Sequence, residues 1–163
     1  HGFDDQGSRY NGMGQLDNWW SAPSRQQFEA RANRLVEQYN QYRPLSDLTV
    51  NGRLTLGENI GDLGGISVAY AALEKMLADH PEVDQKKDGF TARQRFFLGY
   101  AQLWRALYKD EHLRQLVRTN PHSPNEFRVN GVVRNVDAWY EAFEVTELQV
   151  LFLPPGQRVD LWQ

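Results

Sequence analysis

Leu56-Gly57-Glu58-Asn59-Ile60-Gly61-Asp62-Leu63-Gly64-Gly65 opens the longest periodic stretch of the sequence and decides how the rest is read. Apolar residues recur at helical spacing through Ile60, Leu63, Ile66, Tyr70, Leu73 and Leu77 to about Ala78, and His80-Pro81 closes the helix. Glu58 and Asp62 stand one helical turn apart, so both project from one face. That face borders the apolar stripe, and two carboxylates at a core margin either find a cation or raise one pKa. Acidic residues are also ordinary near a helix N-terminus, because they suit its dipole. The glycines shift the balance. Each costs roughly 1 kcal/mol inside a helix, so Gly57, Gly61, Gly64 and Gly65 together imply that something packs very close.

Upstream, Ser21-Ala22-Pro23-Ser24 supplies cap hydroxyls and a proline that tolerates the first turn. A helix follows to Arg43, with Phe28, Ala32, Leu35, Val36, Tyr39 and Tyr42 in phase, and Pro44 ends it. Residues 1–20 read as a short helical end and an irregular loop pinned by Trp19-Trp20. Leu48 to Thr55 reads as a β-hairpin around Asn51-Gly52. Downstream, the segment Pro81–Gly89 is charged and solvated. A helix covers about Thr91–Tyr108, with Phe97, Tyr100, Ala101, Trp104 and Leu107 inward, and a shorter one about Glu111–Val117. Thr119 to Glu126 is a loop on proline and asparagine grounds. Val136–Phe143 is a last short helix, and Val150–Leu153 a short extended run. The expectation is one mainly α domain over residues 1–163 with one small β-hairpin.

The 163 residues, 40% of them apolar, with 8 Phe, 7 Tyr and 5 Trp, suit one hydrophobic core and argue against disorder. A net charge of −3 argues against nucleic-acid partners, which call for a basic excess. No run approaches the roughly 18 apolar residues of a membrane span. With no cysteine, a metal would be held by His and carboxylates. Of the histidines, His80 and His112 read as a helix-end cation and a polar-face residue. His122 lies between two prolines, where a rigid loop aims a side chain. Arg128, shortly after, is by itself an ordinary surface cation.

Gly57-Glu58-Asn59-Ile60-Gly61-Asp62 and Asn120-Pro121-His122-Ser123-Pro124, with His1-Gly2-Phe3-Asp4-Asp5 before them and Arg158-Val159-Asp160-Leu161-Trp162 after, resemble the neprilysin and endothelin-converting-enzyme family of zinc metallopeptidases. The resemblance implies the C-terminal helical part of a thermolysin-like zincin catalytic domain. It implies a zinc endopeptidase that hydrolyses oligopeptides through a zinc-activated water. On this carry-over His1 and Glu58 are zinc ligands, His1 being the second His of an HExxH helix. Asp62 orients a zinc-bound His, His122 steadies the oxyanion, and Arg128 anchors a substrate carbonyl. Leu103 and Trp104 line the pocket for the residue after the scissile bond. Glu58 is then expected to point toward His1, and His122 and Arg128 to converge on the same cleft.

The resemblance also implies absences. The family's first zinc His, its general-base Glu and its capping helical domain have no counterpart here, so the chain reads as a piece of a longer one. Such a piece is expected to hold Zn2+ weakly or not at all, to be inactive alone, and to self-associate or rejoin its N-terminal part. Asp62, without its imidazole partner, is expected to lack a counter-ion. Vertebrate members carry cysteines near positions matching Arg34, Arg105, Val145 and Val159, which points to a bacterial relative. The family implies an extracellular or periplasmic location, with any membrane anchor upstream. A non-catalytic helical binding module derived from such a peptidase is the alternative.

Overall fold

The Ser21 hydroxyl accepts the Ser24 N–H at 3.2 Å and starts α1, Ala22–Tyr39. The computed structural model describes residues 1–162 and continues with α2 (Leu56–Asp79), α3 (Ala92–Leu103), α4 (Asp110–Thr119), α5 (Asn125–Val133) and α6 (Asp137–Phe143). Single 3-10 turns lie at Gly7–Arg9, Pro81–Val83 and Pro155–Gln157. The central helix is α2, packed between α1 and α5, while α3 packs on α5 and α6. Leu35 and Tyr39 of α1, Leu56, Ile60 and Leu63 of α2, and Val132 of α5 form the middle of the core. Full burial of each aliphatic side chain stabilises the fold by about 1.5–3 kcal/mol. The C-terminal segment is drawn onto α1, where Arg34 Nη2 donates to the carbonyls of Gly156 (2.7 Å) and Arg158 (3.3 Å). Val159 and Leu161 complete the core there.

The hairpin expected at Leu48–Thr55 is absent. Among the described residues, extended pairing is limited to the isolated bridges Tyr10–Leu16, Leu45–Leu48 and Lys87–Phe90. Asn51 instead folds its side-chain oxygen over the N–H groups of Arg53 (3.1 Å) and Leu54 (3.0 Å), a turn that delivers the chain into α2. The Gly52 N–H goes to Asn40 Oδ1 and the Val50 N–H to the Tyr42 carbonyl, so the donors a hairpin needs are spent on the end of α1.

The third helix starts where expected, Thr91 and Gln94 forming a reciprocal capping box. It stops at Leu103 rather than Tyr108, because Asn125 Nδ2 captures the Trp104 carbonyl (3.0 Å) and the indole turns onto Arg128. Leu107, expected inward, is 99% exposed. Val150–Leu153 forms no strand, and Leu153 is tied to Tyr140 Oη instead. The helix α5 was not expected, although Pro124 caps it and its carbonyl accepts from Phe127 and Arg128. Nine residues interrupted by Gly131 are too short to show a period.

Gly131 is the close contact of that helix. A Cβ there would lie 2.8 Å from Tyr39 Oη and 2.9 Å from Tyr42 Cε2, and Tyr39 is fully buried with its hydroxyl on the Phe127 carbonyl. Gly131→Ala is therefore expected to lower stability by about 1–3 kcal/mol despite its better helix propensity. Urea denaturation of the two chains checks this, and a neutral or stabilising result would show that the tyrosines yield.

Candidate active site

The first two turns of α2 carry Glu58 and Asp62 on their outer side, above the buried Asn59, Ile60 and Leu63. Glu58 is the meeting point. Its Oε1 lies 3.6 Å from His1 Nε2, and its Oε2 lies 3.0 Å from His122 Nε2 and 3.8 Å from Arg128 Nη2. Three residues, His1, His122 and Arg128, thus gather around one carboxylate that is 21% exposed.

Each partner is held from behind. His1 Nδ1 sits 2.7 Å from Asp4 Oδ2, and the other Asp4 oxygen accepts the N–H groups of Gln6 (2.9 Å) and Gly7 (2.7 Å). An ionised carboxylate only accepts, so Nδ1 carries a proton and Nε2 is the nitrogen that faces Glu58. The imidazole rests directly on α2, where a Cβ at Gly61 would come within 3.3 Å of His1 Cε1. Gly57 similarly admits Asp5 and Gly64 admits Trp162, whereas nothing lies over Gly65. On the other side, Asn120 Oδ1 accepts both the His122 backbone N–H (2.9 Å) and Nδ1 (2.8 Å). That leaves His122 Nε2 to face Glu58.

Asp62 does not lack a counter-ion. Arg128, from α5, grips it with Nε on Oδ2 at 2.7 Å and Nη2 on Oδ1 at 2.6 Å, a two-pronged pair with side chains only 13% and 10% exposed. Each Asp62 oxygen accepts one of these bonds, and the carboxylate behind His1 is Asp4. Burial pushes the Asp62 carboxyl above the usual carboxylate range, and the Arg128 bonds and charge pull it back only in part. Burial opposes the Arg128 charge, but the Asp62 bonds more than offset that, so the guanidinium is held more firmly protonated than usual. Trp104 covers the guanidinium from the other side, with Cζ 3.8 Å from the ring centroid. Tyr100 Oη donates to the Arg128 carbonyl at 2.7 Å. Leu103, next to Trp104 in sequence, stands in solvent, 76% exposed.

The donor set matches part of a zinc site. Two ligands on a tetrahedral ion with bonds of 2.0–2.1 Å stand about 3.4 Å apart, close to the 3.6 Å between His1 Nε2 and Glu58 Oε1. A carboxylate on the far nitrogen of a ligating His, as Asp4 is on His1, is the usual supporting contact. Among the described residues no three His, Cys, Asp or Glu side chains converge as a complete metal-holding group.

A family model described as peptidase family M13 matches residues 1–159. The chain belongs to that family. It is 42% identical over 148 residues to Neprilysin-11 of Caenorhabditis elegans, covering 88% of this chain and 17% of that protein. It is 40% identical over 157 residues to endothelin-converting enzyme 1 of Cavia porcellus, covering 96% of this chain and 20% of that protein. The chain therefore spans about a fifth of the length of these relatives. Among solved structures, the Mycobacterium tuberculosis zinc metalloprotease Zmp1 in complex with inhibitor superposes at a TM-score of 0.95 with 48% identity, over 100% of this chain and 25% of that one. PepO from Lactobacillus rhamnosis superposes at 0.84 with 33% identity, over 99% and 24%. The mainly helical fold of this chain thus recurs in about a quarter of each of these solved structures. Asp4, Asn120 and the Trp104 stacking contact were not singled out from sequence. Asp4 left a local signal, a short acidic side chain one turn after His1 and just before a 3-10 turn.

The Asp62–Arg128 pair gives a pH-dependent prediction. Arg128→Met leaves Asp62 buried without its partner, which costs about 3–5 kcal/mol when one member of a buried pair is removed. The variant raises the folded pKa of Asp62 further above its unfolded value, so the ionised form is disfavoured in the folded state and stability returns as pH falls through that folded pKa. Urea denaturation at pH 7 and pH 4.5 is expected to show a larger deficit at pH 7, and an equal deficit at both would contradict the pairing.

Proposed function

We propose that this chain is part of the active centre of a zinc-dependent endopeptidase acting on oligopeptides. The gathering of His1, His122 and Arg128 around the Glu58 carboxylate carries the reading. Family membership supports it. His1 Nε2 and Glu58 would hold the ion with one further protein ligand from outside this sequence. Zinc in such a site lowers the pKa of a bound water toward neutrality and polarises a carbonyl.

The remaining roles belong to the chain's own side chains. His122, with Nδ1–H committed to Asn120, presents Nε2 to the cleft, and a proton there donates to the oxygen that gains negative charge during attack on a peptide bond. Arg128 keeps its fork on Asp62 and its remaining edge toward the cleft, where it donates to a backbone carbonyl of the substrate. Trp104 and Leu103 supply the apolar wall for the substrate side chain beyond the scissile bond. The general base that takes the water proton also comes from outside this sequence. Apolar side chains left in solvent near α2 and α3, such as Val68 at 73% and Leu103 at 76% exposed, are surfaces such a longer chain covers.

Two measurements test this. In the natural full-length chain, His122→Ala is expected to lower kcat by about 10²–10³ while KM changes little, as for the loss of one donor used in the transition state. A pure KM effect would contradict the role. For the 163-residue chain alone, calorimetry with zinc is expected to give a dissociation constant above micromolar, with no cleavage of a fluorogenic peptide, because ordering an incomplete site weakens metal affinity. Submicromolar binding with turnover would show that two ligands suffice.

A further inference from the structure

Asn59 and Ser123 are the immediate sequence neighbours of Glu58 and His122, and both are buried, at 1% and 2% exposure. They belong to one series of hydrogen bonds. Thr55 Oγ1 donates to the Asn51 carbonyl at 3.1 Å, so its lone pair accepts from Asn59 Nδ2 at 2.9 Å. That turns Asn59 Oδ1 toward Ser123 Oγ, which donates to it at 2.7 Å across 64 residues of chain. Each proton in the series has one direction.

The two sides of α2 therefore do different work on the same loop. Its outer side meets His122 through Glu58, and its core side grips Ser123 through Asn59. The loop between α4 and α5 contains Pro121 and Pro124, which have no N–H to give. The Asn120 bonds orient the His122 ring against its own backbone, but not against α2. The Ser123 hydroxyl supplies that second reference. Buried polar pairs add little net stability over apolar groups of the same shape, yet they fix relative position.

We propose that Asn59 and Ser123 are positioning residues that hold the His122 loop against α2, so that His122 Nε2 is delivered to the Glu58 cluster. This rests on the reading of His122 as the donor to the developing charge. The test is a double-mutant cycle in the zinc-loaded natural full-length chain, with kcat, KM and zinc content measured for Ser123→Ala, His122→Ala and both together. Ser123→Ala is expected to lower kcat by about 10–100-fold, with KM and zinc content unchanged. In the His122→Ala background it should lower kcat no further, because the group it positions is gone. A kcat unaffected by Ser123→Ala, or lowered by the same factor in both backgrounds, overturns the positioning role while leaving the His122 reading intact. A kcat unaffected by His122→Ala overturns that reading and the proposal with it. Should Ser123→Ala not fold, Ser123→Cys keeps the volume with a weaker donor, and the same cycle applies.

Discussion

The two hydrogen bonds between Arg128 and Asp62 join α5 to α2 at the edge of the core, and the cluster around Glu58 depends on that join. A guanidinium and a carboxylate this poorly exposed are costly to desolvate. The cost is offset by geometry: both carboxylate oxygens are used, the indole of Trp104 covers one face, and Tyr100 holds the backbone behind. Removing either charge strands the other. The pair therefore acts as a register pin, fixing which part of α5 faces which turn of α2. The loop entering α5, with His122 on it, takes its place from that register.

Glu58 is the second constraint, because one carboxylate serves two imidazoles on different oxygens. His1 and His122 are both fixed through their Nδ1 atoms, by Asp4 and Asn120, so each turns Nε2 inward. The supporting groups differ in charge. Behind His1 stands a carboxylate, the support a metal-ligating imidazole would carry. An amide behind His122 fixes orientation without adding charge.

Much of this was legible in the sequence where the signal is local. The apolar stripe of α2 and the Ser21 cap are patterns of neighbouring residues, and the structure follows them. The four-residue spacing of Glu58 and Asp62 placed them on one face, and the glycines at 57, 61 and 64 are where Asp5, His1 and Trp162 approach. What was illegible depends on partners distant in sequence. Asn51-Gly52 forms a hairpin turn or a helix-entry turn according to who takes its N–H groups, and Asn40 decides that. The early end of α3 depends on Asn125, and α5 is held by contacts of Gly131 with Tyr39 and Tyr42 that no periodicity records.

The central proposal is that Glu58 and His1 are ligands of a catalytic zinc whose remaining protein ligand is not in this sequence. X-ray absorption at the zinc edge, on the natural full-length chain and its Glu58→Ala variant, tests it most directly. The account predicts a first shell of two imidazole nitrogens and carboxylate oxygen in the parent, with the carboxylate contribution and most of the bound zinc lost in the variant. Full zinc content with an unchanged first shell in Glu58→Ala would contradict it.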